Sequence, residues 1–211
     1  MGNQKLAVVE IFYSLQGEGA RAGHPTIFIR LAGCNMNCSF CDTKWDGGTG
    51  MTLEEIRMHI KSLQTDCYWI CWTGGEPTLQ LSWDVVTYFK ELGYHQAIES
   101  NGSNPIPKGL DYVSISPKVP LHRLLEVHQN THINEIRYVV GYDSWEDTME
   151  HIPDINLLPK ADTYYLSPMF VGKAKEKMQL NQRNLDMAIC FIKNDPRWRL
   201  SVQQHKLWNI R

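Results

Sequence analysis

Short apolar runs and longer amphipathic stretches alternate along the chain, with glycine, proline and asparagine at the joins. Residues 26–31 are β-rich and apolar and end at Ala32-Gly33, which predicts a buried strand. Thr52 and Glu55 have the spacing of a capping box, and Leu53, Ile56, Ile60 and Leu63 follow on one helical face. A second strand is predicted over 68–73, stopped by Gly74-Gly75. A helix follows over 83–92, behind Ser82 and closed by Gly93. Strand patterns recur at 94–99, 112–116, 135–140, 163–166 and 199–203, with helices at 145–152 and 180–193.

Alternation of this kind implies mostly parallel strands joined by helical crossovers. A complete eight-fold barrel takes about 250 residues. At 211 residues the expected fold is α/β: a single domain over 1–211, a partial (β/α) barrel of about six parallel strands with reduced helices. Ligands of such sheets sit at the C-terminal strand ends. The polar and glycine-rich clusters 34–43, 73–77, 99–102 and 114–118 all follow apolar runs. Four unusual strand ends on one sheet suggest a ligand above it.

Composition narrows the class. Apolar residues make up 43% and charged residues 21%, ordinary globular values that exclude wholesale disorder. No apolar run approaches the roughly 18 residues of a membrane span. A net charge of −2 argues against a broad grip on nucleic acid. The first residues lack the apolar core of a secretory signal, so the expected compartment is the cytoplasm, where thiols stay reduced.

Reduced thiols change the meaning of the six cysteines. Cys34, Cys38 and Cys41 crowd into one loop, while Cys67, Cys71 and Cys190 are scattered and read as core residues. Three close thiolates suit an iron–sulfur cluster with one open iron, or zinc with a distant fourth ligand. Spacing alone leaves both open, together with ordinary reduced cysteines.

The surroundings add a resemblance. Cys34, Cys38 and Cys41, with Phe40 before the last, resemble the cluster loop of the radical S-adenosylmethionine (radical SAM) superfamily, and Thr73-Gly74-Gly75-Glu76-Pro77 resembles its second motif. Further segments are similar to the 7-carboxy-7-deazaguanine synthase family within it. They are Leu15-Gln16-Gly17-Glu18-Gly19, Phe28-Ile29-Arg30, Cys41-Asp42-Thr43, Glu99-Ser100-Asn101-Gly102, Ser116-Pro117-Lys118 and Gln203-Gln204-His205-Lys206. The resemblance implies a [4Fe–4S] cluster on the three cysteines and S-adenosylmethionine at Phe40, Gly75, Glu76, Ser100, Ser116 and Lys118. It implies Mg²⁺ at Thr43, and a pterin substrate at Gln16, Glu18, Arg30 and His205. Ser167 and Gln204 depart from the family's pattern, so their roles are open.

The implied reaction converts 6-carboxy-5,6,7,8-tetrahydropterin to 7-carboxy-7-deazaguanine by radical ring contraction with loss of ammonia, on the route to queuosine. The implied partners are a one-electron donor such as flavodoxin and a second copy of the chain. Blander readings stand beside these. Arg30 could be half of an ion pair, the Gln16–Gly19 segment an ordinary turn, His205 a surface residue and Lys118 solvated. Trp45 could cover the substrate or pack on its own sheet. Two other functions compete, a glycyl-radical activase and a non-catalytic zinc-binding interaction module.

Overall fold

The computed structural model describes residues 4–141, 152–172 and 179–211. The helix expected at 145–152, apart from Ile152, and the lysine-rich run 173–177 lie outside the described residues. The strands are β1 (Lys5–Leu15), β2 (Pro25–Leu31), β3 (Thr49–Thr52), β4 (Trp69–Gly74), β5 (His95–Ser100), β6 (Tyr112–Ile115), β7 (Ile133–Val140), β8 (Ala161–Pro168), β9 (Phe170–Val171), β10 (Gln179–Leu180) and β11 (Trp198–Leu200). The helices are α1 (Leu53–Ser62), α2 (Trp83–Glu91), α3 (Leu121–His128), α4 (Gln182–Asn194) and α5 (Gln204–Trp208).

One nine-stranded sheet has the order β11-β8-β7-β6-β5-β4-β2-β1-β3. Seven of its strands, β2 through β11 in that row, are parallel neighbours. That agrees with the expectation of about six. Strands β1 and β3 extend the sheet antiparallel. Neither β1 nor β3 was expected. The register of β1 shifts between Val8 and Glu10, which breaks the alternation that marks a strand in sequence. The small β9–β10 hairpin and α3 were also not anticipated.

Local signals held where they were strong. The capping box at Thr52 and Glu55 is present in full. Ser82 caps α2, accepting from Val85 N. Ile27, Ile29, Leu31, Ile70, Trp72, Ile98 and Ile115 belong to one buried cluster with Ile56, Ile60, Val85 and Phe89 of the helices. Burying side chains of that size stabilises by roughly 1.5–3 kcal/mol each. The alternate positions of β2, β4, β5 and β7 carry Arg30, Thr73, Glu99, Glu135 and Arg137 among the apolar Phe28, Cys71 and Ala97. The helical face therefore holds the fold and the opposite face holds the chemistry.

The last strand is shorter than expected. It stops at Leu200 instead of running to Gln203. Ser201 N still donates to Leu166 O at 3.0 Å, but the chain then turns inward, and Gln204 N donates to Gly17 O at 2.9 Å. Polar partners on the opposite edge draw these glutamines out of strand geometry. The segment fills the seam between β11 and the second half of β1, where Ser14 Oγ donates to Arg211 O at 2.5 Å.

Candidate functional site

The cysteine loop is fixed at its base by backbone contacts. Gly33 N donates to Trp45 O at 2.9 Å, so residues 34–44 project as one loop from the end of β2. The parallel register pairs Leu31 with Gly74. Gly75 N then donates to Leu31 O at 3.0 Å, and Glu76 N to Gly33 O at 2.9 Å. A Cβ on Gly75 would lie 1.8 Å from Gly33 O. Only glycine permits this approach, which zips the second motif against the start of the cysteine loop.

Above these strand ends lies a cleft of about 230 Å³. Cys34, Cys38, Phe40, Cys41, Thr43, Gly75, Ser100, Ser116 and Lys118 all line it. Lys118 Nζ donates to Ser116 Oγ at 3.0 Å and lies 5.1 Å from the Phe40 ring centre, so it is held rather than loosely solvated. The three thiols of one loop facing a single cleft suit a cuboidal cluster, which spreads its thiolates around several irons. Among the described residues no three His, Cys, Asp or Glu side chains converge closely enough to hold a single ion.

Glu76 is the one expected cofactor residue that does not line the cleft. It is 1% exposed. Its carboxylate accepts from Thr78 N (3.1 Å), Thr78 Oγ1 (2.6 Å), Ser100 Oγ (2.9 Å) and Asn101 N (2.7 Å). Three of these donors converge on Oε1, and Asn101 N takes Oε2. Glu76 thus ties the end of β4 to the turn after β5. Asn101 in turn donates to Asn35 Oδ1 at 2.9 Å, joining that turn to the cysteine loop.

A second compartment of about 170 Å³ adjoins the first, and Glu18, Asp42, Thr43, Thr73, Glu99, Arg137 and Gln203 line both. It contains Gln16, Arg30 and His205. The connection between β1 and β2 enters it from the N-terminal strand ends. Arg21 of that connection lies 3.5 Å from the Trp69 ring centre at the start of β4, and Ala20 N donates to Glu135 Oε2 at 2.9 Å. The Gln16–Gly19 segment is therefore a plug held inside the sheet, not an ordinary surface turn. Gln16 is buried; its amide donates to Glu99 Oε1 at 3.0 Å and accepts from Gly17 N at 2.8 Å.

The segment after β11 closes the compartment from the opposite side. Gln203 donates to Glu18 Oε1 at 3.0 Å. His205 packs on Gly17, where a Cβ would meet His205 Nδ1 at 2.1 Å. Burial lowers the His205 pKa, although Glu18 opposes it, and this favours the neutral imidazole. Lys206 forms an ion pair with Asp42, next to the third cysteine. Burial pushes Asp42 upward, but Lys206 outweighs it and the carboxyl sits below the usual range. Thr43 Oγ1 donates to Asp42 Oδ1 at 3.2 Å.

Sequence reasoning missed the charge cluster beneath both compartments. Arg137 of β7 pairs with Glu99, with Glu18 at 3.6 Å and with Glu135 at 3.4 Å. Burial opposes the guanidinium charge, but the three carboxylates outweigh it and its pKa is raised. One cation cannot neutralise three anions. Burial pushes Glu99 up to about 7; Arg137 pulls it down, and Glu135 and Glu18 push it further up. An arginine in the middle of an apolar strand was the available signal, as it was for Arg30.

Arg30 is in fact half of an ion pair, with Glu10 at 2.8 Å, and it lines the second compartment as well. Trp45 lines neither compartment. Of the cysteines read as core, Cys71 is fully buried and Cys67 half-buried, but Cys190 is exposed. It falls on the solvent side of α4, whereas the buried residues of that helix are Asn184 and Ala188. Ser167 is 3% exposed, lines the first cleft, and its hydroxyl has no hydrogen-bond partner among the described residues.

The radical SAM superfamily profile matches residues 28–171. A 7-carboxy-7-deazaguanine synthase of Bacteroides thetaiotaomicron is 36% identical over 202 residues, spanning 96% of this chain and 97% of its own length. The synthase of Haemophilus influenzae is 35% identical, spanning 96% of this chain and 93% of its own. That of Burkholderia multivorans is 33% identical, at 97% and 98%. The crystal structure of QueE from Escherichia coli matches with a TM-score of 0.67 over 95% of both chains, at 23% identity, a likeness of fold.

Proposed function

The chain belongs to the radical SAM superfamily and, within it, to the 7-carboxy-7-deazaguanine synthase family, and on that footing we propose that its larger cleft seats the cluster and S-adenosylmethionine and its smaller compartment the pterin. The activity is that of a radical SAM lyase, contracting the ring of 6-carboxy-5,6,7,8-tetrahydropterin to 7-carboxy-7-deazaguanine with loss of ammonia, in queuosine biosynthesis. The activase and zinc-module alternatives are not favoured by relatives of this kind. One observation carries the division of the site. The cysteine loop and the Gln16, Arg30 and His205 set line adjoining compartments that share Thr43, Glu99 and Arg137.

When bound, the cluster and S-adenosylmethionine supply the one-electron chemistry that removes a hydrogen atom from the substrate. The protein's own residues do the rest. Cys34, Cys38 and Cys41 hold the cluster. Gly74 and Gly75 let the backbone approach the cofactor's amino-acid end, and Glu76 acts from behind by fixing Ser100 and Asn101. Phe40, Ser116 and Lys118 flank the adenosine. The Ser167 hydroxyl, buried with no partner among the described residues, is a further cofactor contact, since an unmatched buried hydroxyl costs stability unless a ligand satisfies it.

In the second compartment Gln16, Glu18 and Glu99 face the donor-rich edge of the pterin, and Arg30 faces its carboxylate. Neutral His205 closes the compartment against water. Thr43 and Asp42 present adjacent oxygens of the kind Mg²⁺ prefers, and we place the ion there with substrate oxygens completing its shell. A single domain, a flavodoxin-like electron donor, a homodimer and a cytoplasmic setting complete the proposal. Reconstituted, reduced protein supplied with S-adenosylmethionine, Mg²⁺ and the carboxy-pterin is expected to form 7-carboxy-7-deazaguanine. Cofactor cleavage with no conversion of the pterin would overturn the substrate assignment.

A further inference from the structure

We infer that Arg211 is a second carboxylate-holding residue of the smaller compartment, acting with Arg30 on either side of a shared Glu10. The inference rests on the assignment of that compartment to a carboxylated pterin. Arg30 Nε donates to Glu10 Oε1 at 2.8 Å, and Arg211 Nη2 pairs with Glu10 Oε2. Both guanidinium carbons lie over the ring of Phe12, at 5.9 Å for Arg30 and 5.1 Å for Arg211. Both arginines and Phe12 line the compartment. The two guanidinium groups share the Glu10 carboxylate, and both keep N–H donors that a ligand carboxylate can take.

The remainder of the compartment holds carboxylates that are already paired. Glu18, Asp42 and Glu99 line it, with Glu18 and Glu99 on Arg137 and Asp42 on Lys206. The Arg30–Arg211 wall therefore suits the substrate's acid, and the glutamates suit its N–H edge. Glu10 takes one donor from each arginine, and a guanidinium carries five, so each keeps donors for a ligand. The Arg211 side chain is also placed for this. Its main-chain oxygen accepts from Ser14 Oγ, which fixes the segment across the seam beside β1. Arg211 is far more exposed than Arg30, at 70% against 21% of the side chain. Its contribution is correspondingly screened.

The test uses the cluster-loaded enzyme and two probes, 6-carboxypterin and unsubstituted pterin, with binding measured by calorimetry. The Arg211→Gln variant is expected to bind 6-carboxypterin about three- to tenfold more weakly than wild type. Its affinity for unsubstituted pterin should stay within about twofold. Arg211→Lys should recover part of the loss, because it restores the charge without the fork. Glu10→Gln should tighten 6-carboxypterin relative to pterin by removing a competing anion. Equal losses for both probes, or no loss for the acid, overturn the inference; equal losses are what a purely structural Arg211 gives. The two readings fail separately. Wild type that makes product while Arg211→Gln binds the acid normally sinks the inference alone. Wild type that shows the Arg211-dependent preference but makes no deazaguanine acid sinks the reaction alone.

Discussion

Replacing Glu99 by Gln tests the electrostatics at the centre of the site. Glu99 is one of three carboxylates around Arg137, and its pKa is raised to about 7 from the ordinary 4.5. A carboxyl whose pKa is higher in the folded than in the unfolded protein favours folding when protonated. Its stabilisation is complete below the unfolded value near 4.5 and is lost as pH rises through the folded value near 7. The interval corresponds to up to about 3 kcal/mol. Glutamine has the shape of the protonated acid and does not titrate. The melting temperature of Glu99→Gln minus that of wild type should therefore be small near pH 5 and rise with pH. At 2–4 °C per kcal/mol for a chain of this size, the full rise is about 6–12 °C. Differential scanning calorimetry of the anaerobic, cluster-loaded proteins from pH 5 to 8 measures it. A difference that stays flat, or falls as pH rises, would mean that Glu99 is ionised throughout and that Arg137 fully compensates it.

Three smaller perturbations probe other parts of the argument. Gly17→Ala places a methyl where His205 Nδ1 now lies; KM for the carboxy-pterin should rise at least about tenfold while the cluster's visible absorption is unchanged, and an unaltered KM would show that His205 does not bound the substrate. Ser167→Ala removes a buried, unpartnered hydroxyl, so S-adenosylmethionine should bind about three- to tenfold more weakly without loss of thermal stability; equal affinity would remove Ser167 from the cofactor site. Thr52→Ala breaks the capping box of α1 and should cost about 1 kcal/mol in unfolding free energy without altering turnover; a loss below about 0.3 kcal/mol would mean that packing of Ile56 and Ile60 alone holds the helix.

The sequence made the cysteine-loop half of the candidate site legible because that half is local. The three cysteines sit on one loop, and the second motif ends the neighbouring parallel strand. Once β2 and β4 pair, Gly75 and Gly33 must meet. The capping box, the glycine stops and the alternating strands are readable for the same reason, since each depends on neighbours a few residues away. Where a local signal was broken, the element was lost. The bulge after Val8 hid β1, and the pull of Glu18 and Gly17 on Gln203 and Gln204 cut β11 short of its expected length.

The chain's residue types by themselves determined an α/β fold, a loop with three close cysteines and a set of polar strand ends. Only the tertiary structure decided what those polar residues do to one another. It turned Glu76 inward to tie the turn after β5, and it brought Glu18, Glu99 and Glu135 around one arginine. It also set Arg211 across Glu10 from Arg30, a contact between residues 201 positions apart. Hydrogen bonds along a helix or strand act over fixed short spacings, so pattern reveals them. Charge–charge contacts act through space, and their partners are chosen only when the sheet curls and its open seam is closed by the chain's last residues.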